Sequence, residues 1–239
     1  MAQVQPAPAR EWRTVLRHRA PLRWMHWINF ACLLALLGSG LQVFNAHPAL
    51  YWGEASDFAR PLLTTAGFPD WATIPGYRSL ALGRRWHFFF AWLWVINGAC
   101  YLAWSIAGRH LRDDLAMRRL DWRAIPRSVM EHLRFRHPAG EEALRYNPLQ
   151  KLAYLGVVFV LAPLAILTGL SMSPQMDTVL GWWLQLVGGR QSARSLHFAV
   201  MALFVAFFVV HVLMVVYAGP INGMRSMLSG RFRVRNDGQ

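Results

Sequence analysis

Acidic residues and cysteines are scarce in this chain. Only 12 of its 239 residues are Asp or Glu, against 25 Lys and Arg, and all charged residues together make up 15%. Hydrophobic residues make up 55%, which is too large a share for an ordinary soluble domain of this size. The two cysteines, Cys32 and Cys100, lie inside apolar segments, so neither a disulfide framework nor a cysteine metal motif is indicated. The composition therefore predicts an integral membrane protein.

Four apolar segments reach the roughly 20 residues that a helix needs to cross a hydrocarbon core of about 30 Å. They cover about 24–44, 86–107, 149–172 and 195–218. We predict an all-α membrane protein with one domain, 1–239, built as a bundle of four transmembrane helices. The segments leave a long outer loop, 45–85, and a cytoplasmic loop, 108–148. Shorter amphipathic stretches at 120–133 and 178–189 predict helices along the membrane surface.

The basic residues are concentrated in three regions. The N-terminal segment, the middle loop and the C-terminal tail together hold 19 of the 25. By the positive-inside rule, these regions are cytoplasmic, so both termini are predicted to lie inside. Because topology accounts for the basic residues, no nucleic-acid partner is predicted. We expect a multi-pass protein of the bacterial inner membrane that is in contact with lipid.

Four of the nine histidines lie inside the predicted spans: His26, His87, His197 and His211. No Asp, Glu, Lys or Arg lies clearly within any of the apolar cores, so these imidazoles are conspicuous and costly there. Fourteen residues separate His197 from His211, which corresponds to about 21 Å and almost four helical turns. The two therefore share a helix face at two depths. The direction of each helix then predicts two pairs, His26 with His211 and His87 with His197.

Two facing imidazoles are a good ligand set for haem iron, so the two pairs predict two haems at two depths. Zinc normally takes four closely grouped ligands, and calcium or magnesium takes oxygen ligands that are missing here. Glycine lets a helix backbone approach a flat macrocycle, and cationic side chains can bind its propionates. The further candidate cofactor-binding residues are Gly40, Gly98, Arg23, Arg85 and Arg194.

Several stretches resemble a known family. The histidine pattern, with RWMHWINF, NPLQKLAYLGV, PLAILTGLSMSP and QSARSLHF, is similar to bacterial four-helix di-haem cytochromes b, which are cytochrome b561-like. These include the cytochrome b subunits of membrane-bound hydrogenases and formate dehydrogenases. The flanking phrases resemble more narrowly the cytochrome b subunit of thiosulfate reductase. The resemblance covers residues from about 20 to 230.

The resemblance implies b-type haem at all four histidines and an electron-transfer subunit of an oxidoreductase complex. Such a subunit connects the quinone pool of a respiratory chain to an extracytoplasmic redox partner, here expected to contain molybdopterin. The partner would carry out the chemistry on the terminal substrate. The family also implies a quinone site beside the cytoplasmic haem, with Asn29 and Asn222 as candidate residues.

Two other functions stay open at this point. One is a quinol oxidoreductase of the bacterial cytochrome b type that needs no partner and reduces a small oxidant itself. The other is a histidine-based metal or proton transporter, which would be colourless, whereas a di-haem cytochrome would be red.

Overall fold

The computed structural model describes residues 12–133 and 146–235, so His137 and the stretch 134–145 of the middle loop lie outside the described residues. Helices dominate the described chain. In chain order the elements are β1 (Trp12–Leu16), α1 (Ala20–Phe44), β2 (Ala49–Leu50), β3 (Leu63–Thr64), α2 (Leu80–Ala107), α3 (Arg119–Leu133), α4 (Pro148–Ser171), α5 (Asp177–Val187), α6 (Arg190–Tyr217), α7 (Pro220–Ser229) and β4 (Arg231–Arg235).

Four of these helices, α1, α2, α4 and α6, are long and apolar enough to cross a membrane. In the most apolar part of each helix, at most 39% of the residues are buried within the protein. Large side chains such as Phe89, Trp92 and Ile96 of α2 are instead exposed. Exposed apolar surface on this scale needs lipid or protein to cover it. The predicted four-helix membrane fold is therefore confirmed.

The helices begin earlier than the apolar segments do. Helix α2 starts at Leu80 rather than near residue 86, and α6 starts at Arg190 rather than near 195. The reason is that the apolar segment covers only the part of the helix that crosses the hydrocarbon core. The helix itself also includes polar turns outside that core, such as the turn with Arg84 and Arg85. The loop after α1 accordingly ends at residue 79. The stretches 120–133 and 178–189 correspond to helices α3 and α5. Their position along the membrane surface stays a prediction.

Helix α4 is interrupted by a π-helical turn, Val157–Leu161. Pro163 follows this turn, and a proline has no amide hydrogen to donate to the carbonyl four residues earlier, Phe159. The wider turn accommodates the missing hydrogen bond and changes which residues share a face on either side of it. The α-helical geometry resumes over Ala162–Ser171.

The contacts divide the chain into two compact units. The first unit comprises residues 1–26, 104–153 and 211–239, and the second comprises 27–103 and 154–210. His26 and His211 belong to the first unit, whereas His87 and His197 belong to the second.

In the first unit, an antiparallel sheet joins the two ends of the described chain. Strand β1 pairs with β4 so that Trp12 lies opposite Arg235 and Leu16 opposite Arg231. Gly230, between α7 and β4, has a left-handed φ of 80°, and its carbonyl accepts the amide of Arg17 at 2.8 Å. A Cβ at this glycine would lie 2.7 Å from the carbonyl oxygen of His18, so only glycine fits this junction.

One acidic side chain connects two helices of the first unit. Asp121, in the first turn of α3, accepts hydrogen bonds from the amide of Arg118 at 2.9 Å and from the Lys151 ammonium in α4 at 3.1 Å. The backbone hydrogen bond, with help from Lys151, lowers the pKa of this carboxyl group. The contact links the surface helix to the start of the third long helix.

In the second unit, the loop after α1 is held against the start of α6. The peptide of Gly53 caps that helix: its carbonyl accepts the amides of Gln191 and Ser192, and its amide donates to the Ser192 hydroxyl at 2.8 Å. Glu54 accepts the amide of Arg190, and the Arg190 guanidinium binds both carboxylate oxygens of Asp177. The loop therefore satisfies amides that a helix start otherwise leaves without partners.

Replacing Gly189 by alanine should loosen this anchor. Gly189 has a φ of 110°, and an added Cβ would lie 2.7 Å from the backbone of Glu54. We expect Gly189→Ala to lower the free energy of unfolding by about 1–3 kcal/mol, measured as a fall in the thermal midpoint in detergent. The matched control is Gly181→Ala in α5, where a Cβ meets nothing within 4 Å. Equal midpoints for the two variants would contradict the anchoring role.

Candidate functional site

The second unit brings His87 of α2 and His197 of α6 together. Their ring centres are 6.2 Å apart, and the ring planes are inclined at 73°. His87 lies near the start of α2, and His197 lies near the start of α6. The sequence predicts that these two histidines form a pair.

Each ring of this pair packs against a short segment of another long helix. The Ser39 hydroxyl of α1 lies 3.1 Å from Nδ1 of His87, and the Thr168 hydroxyl of α4 lies 3.0 Å from Nδ1 of His197. Both hydroxyl-bearing residues are fully buried. The next residue in each helix is a glycine, and a Cβ there would lie 3.4 Å (Gly40) or 3.3 Å (Gly169) from the imidazole Cε1. The absence of a side chain at these glycines lets each ring lie close to the helix.

The first unit brings the other predicted pair together. The ring centres of His26 in α1 and His211 in α6 are also 6.2 Å apart, with an interplanar angle of 59°. Arg23, one turn before His26, donates a hydrogen bond from its guanidinium to the carbonyl of Leu228 in α7. This contact fixes the start of α1 against the C-terminal helix of the same unit.

The positive charge near His26 comes from arginines rather than from His18. Burial lowers the pKa of His18 to about 4, and the nearby positive charge of Arg17 adds to the effect, with smaller contributions from His26, His110 and Arg23. The His18 ring is therefore neutral at physiological pH.

The spacing within both pairs fits one metal ion between the rings. An imidazole nitrogen lies about 2 Å from a first-row metal and the ring centre about 1 Å further, so two axial imidazoles have ring centres about 6 Å apart. The 6.2 Å of each pair matches this distance. Among residues 12–133 and 146–235, no group of three or more His, Cys, Asp or Glu side chains could hold a metal ion. The donor set thus suits a metal whose other ligands come from a macrocycle.

Of the other predicted cofactor-binding residues, two arginines make specific contacts. The Arg194 guanidinium donates to the carbonyl of His47 and lies 5.5 Å from the Phe44 ring centre, and Arg23 binds Leu228 as described. Each guanidinium carries five N–H donors, so these bonds leave donors for an anion. Arg85 is exposed, and a Cβ at Gly98 would meet nothing within 4 Å. Their roles at a cofactor stay predictions.

The two asparagines predicted at a quinone site have different surroundings. The Asn29 side-chain carbonyl accepts a hydrogen bond of 2.8 Å from Asn97 of α2, which is 6% exposed. The Asn222 amide binds the backbone of Arg233 through both its oxygen and its nitrogen, at 2.9 and 2.8 Å. Asn222 therefore fixes strand β4 to α7. Contact of either residue with a quinone stays a prediction.

A family model described as prokaryotic cytochrome b561 matches residues 17–230. This range includes all four paired histidines and nearly the whole chain. The chain belongs to the prokaryotic cytochrome b561 family. Members of this family bind b-type haem in a helical membrane bundle, so this cytochrome is a multi-pass membrane protein that transfers electrons.

Two relatives of this cytochrome have names that mention larger complexes. A chain of Azospira oryzae, named as a protein-methionine-sulfoxide reductase subunit, YedZ1, is 30% identical over 200 residues, which are 83% of this chain and 89% of the relative. A chain of Cupriavidus necator, named as a Ni/Fe-hydrogenase B-type cytochrome subunit, is 29% identical over 205 residues, covering 82% of this chain and 76% of the relative. The resemblance to hydrogenase cytochromes is thereby confirmed.

Sequence reasoning missed three residues of the cytochrome that contact the histidines: Ser39, Thr168 and Gly169. A signal for them exists in the sequence. The tripeptides Ser-Gly-Leu at 39–41 and Thr-Gly-Leu at 168–170 place a hydroxyl directly before a glycine in the first and third spans. Gly40, named from the sequence as a candidate cofactor-binding residue, lies beside His87. Its role at a cofactor stays a prediction.

The Asn29–Asn97 hydrogen bond should couple α1 and α2 of the cytochrome. Replacing either residue by leucine removes one partner and leaves a polar group in the membrane interior, whereas replacing both removes the polar pair. We expect a double-mutant cycle on the free energy of unfolding in detergent to give a coupling of about 0.5–2 kcal/mol. Ile96→Leu, at an exposed position of α2, is the control. Strictly additive effects would show that the bond contributes nothing.

Proposed function

We propose that this cytochrome is a di-haem electron carrier that connects the quinone pool with an extracytoplasmic redox subunit. One haem b would be held by His26 and His211 and the other by His87 and His197. The observation that carries the proposal is the presence of two imidazole pairs with the same 6.2 Å separation of ring centres.

Haem b supplies one-electron redox chemistry when it is bound, and the protein residues determine how it is held. Two imidazoles would hold each haem, and such a ligand set would favour simple electron transfer over oxygen binding. His197 and His211 are fourteen residues apart in one continuous helix, α6, so a single element would contribute one ligand to each haem. This arrangement supports stepwise transfer of single electrons across the membrane.

The proposal also includes a quinone and a partner subunit. The names of the two relatives support a partner subunit, because each is named as a subunit of a larger redox enzyme. We propose a molybdopterin-containing partner outside the inner membrane, and a quinone that exchanges electrons near His26. Arg17 and Arg23 give that end of the site a fixed positive charge, which would stabilise a quinone that has gained an electron before it gains a proton.

The haem assignment is tested by replacing the histidines. Purified wild-type protein should be red, with a b-type spectrum and about two haems per chain. His197→Ala should retain about one haem, and the His197→Ala/His211→Ala double variant should retain none, because each pair loses a ligand. The control is His110→Gln, which changes a histidine outside the pairs that binds Asp114. An unchanged haem content in the double variant would overturn the ligand assignment.

The electron path is tested with quinol and with the native membrane. Quinol should reduce both haems of the purified protein, but turnover with a small oxidant should be slow without a partner. A pull-down from native membranes should recover a redox subunit that restores turnover. Rapid quinol oxidation by the isolated chain, with no subunit recovered, would instead favour the self-sufficient quinol oxidoreductase. A colourless protein would favour a transporter.

A further inference from the structure

The contacts of His87 and His197 follow one pattern on two different helices. On α1 the Ser39 hydroxyl lies 3.1 Å from Nδ1 of His87, and a Cβ at Gly40 would lie 3.4 Å from Cε1 of the same ring. On α4 the Thr168 hydroxyl lies 3.0 Å from Nδ1 of His197, and a Cβ at Gly169 would lie 3.3 Å from Cε1 of that ring. We call these two segments, 39–40 and 168–169, the imidazole seats.

The hydroxyl proton in each seat already forms a hydrogen bond within its own helix. Ser39 donates to the carbonyl of Ala35 at 2.6 Å, and Thr168 donates to the carbonyl of Leu164 at 2.6 Å, each four residues earlier in its own helix. A hydroxyl has a single proton, so its oxygen can only accept from the imidazole. The hydroxyl oxygen beside each Nδ1 therefore requires an N–H at that position.

This requirement fixes the tautomer of each ring. A neutral imidazole with its proton on Nδ1 has its lone pair on Nε2. The seat thus turns the protonated nitrogen toward the helix and leaves the other nitrogen available as a ligand. A hydrogen bond from Nδ1 also makes the ring a stronger electron donor through Nε2.

We propose that the two imidazole seats, through Ser39 and Thr168, set the reduction potential of the haem held by His87 and His197. Stronger donation from Nε2 of His87 and of His197 would stabilise ferric over ferrous iron, so the seats would lower this potential. Ser39 and Thr168 act as positioning residues, because they touch the ligands rather than the iron. The inference rests on the proposed function, since it needs a haem at this pair.

The test is a redox titration of the purified holoprotein, followed at the b-type absorbance band and resolved into two components. The component that His197→Ala removes identifies the haem of interest. Ser39→Ala and Thr168→Ala should each raise its potential, and the double variant should raise it further, while the second component stays unchanged. Ser39→Thr and Thr168→Ser keep the hydroxyl and should remain close to the wild-type potential.

The outcomes separate this inference from the proposed function. Two haems with an unmoved potential in both alanine variants would overturn the role of the seats and leave the haem assignment intact. Equal shifts in the alanine and hydroxyl-retaining variants, or in both components, would also overturn it. If an alanine variant loses its haem, retention by the matching hydroxyl variant supports the seats, and loss in both contradicts them. A wild-type protein without haem at His197 would overturn the proposed function itself.

Discussion

The structure depends on how an imidazole is accommodated in a hydrocarbon environment. A ring nitrogen with no partner costs several kcal/mol in the membrane core, on the order of any buried polar group that is not hydrogen-bonded. For His87 and His197, fully buried hydroxyls on α1 and α4 satisfy one nitrogen of each ring. Each hydroxyl in turn donates its proton to a backbone carbonyl of its own helix. The other nitrogen of each ring is then available as a ligand for the proposed haem, so the polar network and the proposed ligand function are two parts of one arrangement.

Apolar length and histidine spacing predicted the parts of the fold that follow from membrane physics. Four spans follow from four runs of about 20 apolar residues, and the pairing of histidines follows from helix direction and depth. These arguments work because a membrane restricts a chain to few architectures. They place residues along the membrane normal, which is why His87 and His197 could be paired without knowledge of any side-chain contact.

The same arguments could not predict contacts that depend on rotation about the helix axes. Small residues are common in membrane helices for packing alone, so Ser39 and Thr168 gave no signal apart from the glycine that follows each. Helix α4 adds a further difficulty, because the π-helical turn at Val157–Leu161 changes which residues share a face before and after it. The sheet between β1 and β4 joins segments more than 200 residues apart, and neither strand shows a pattern long enough to predict the pairing.

That sheet has a consequence for the order of events during synthesis. Strand β1 leaves the ribosome before β4, so β1 waits without its partner while the four long helices between them are made. Contacts between such distant segments form late, because the entropy of closing a long loop opposes them. His26 and His211 belong to the same unit as this sheet, and they too come from the first and the last long helix. His26 and His211 can therefore come together only after the chain has been made through to α6.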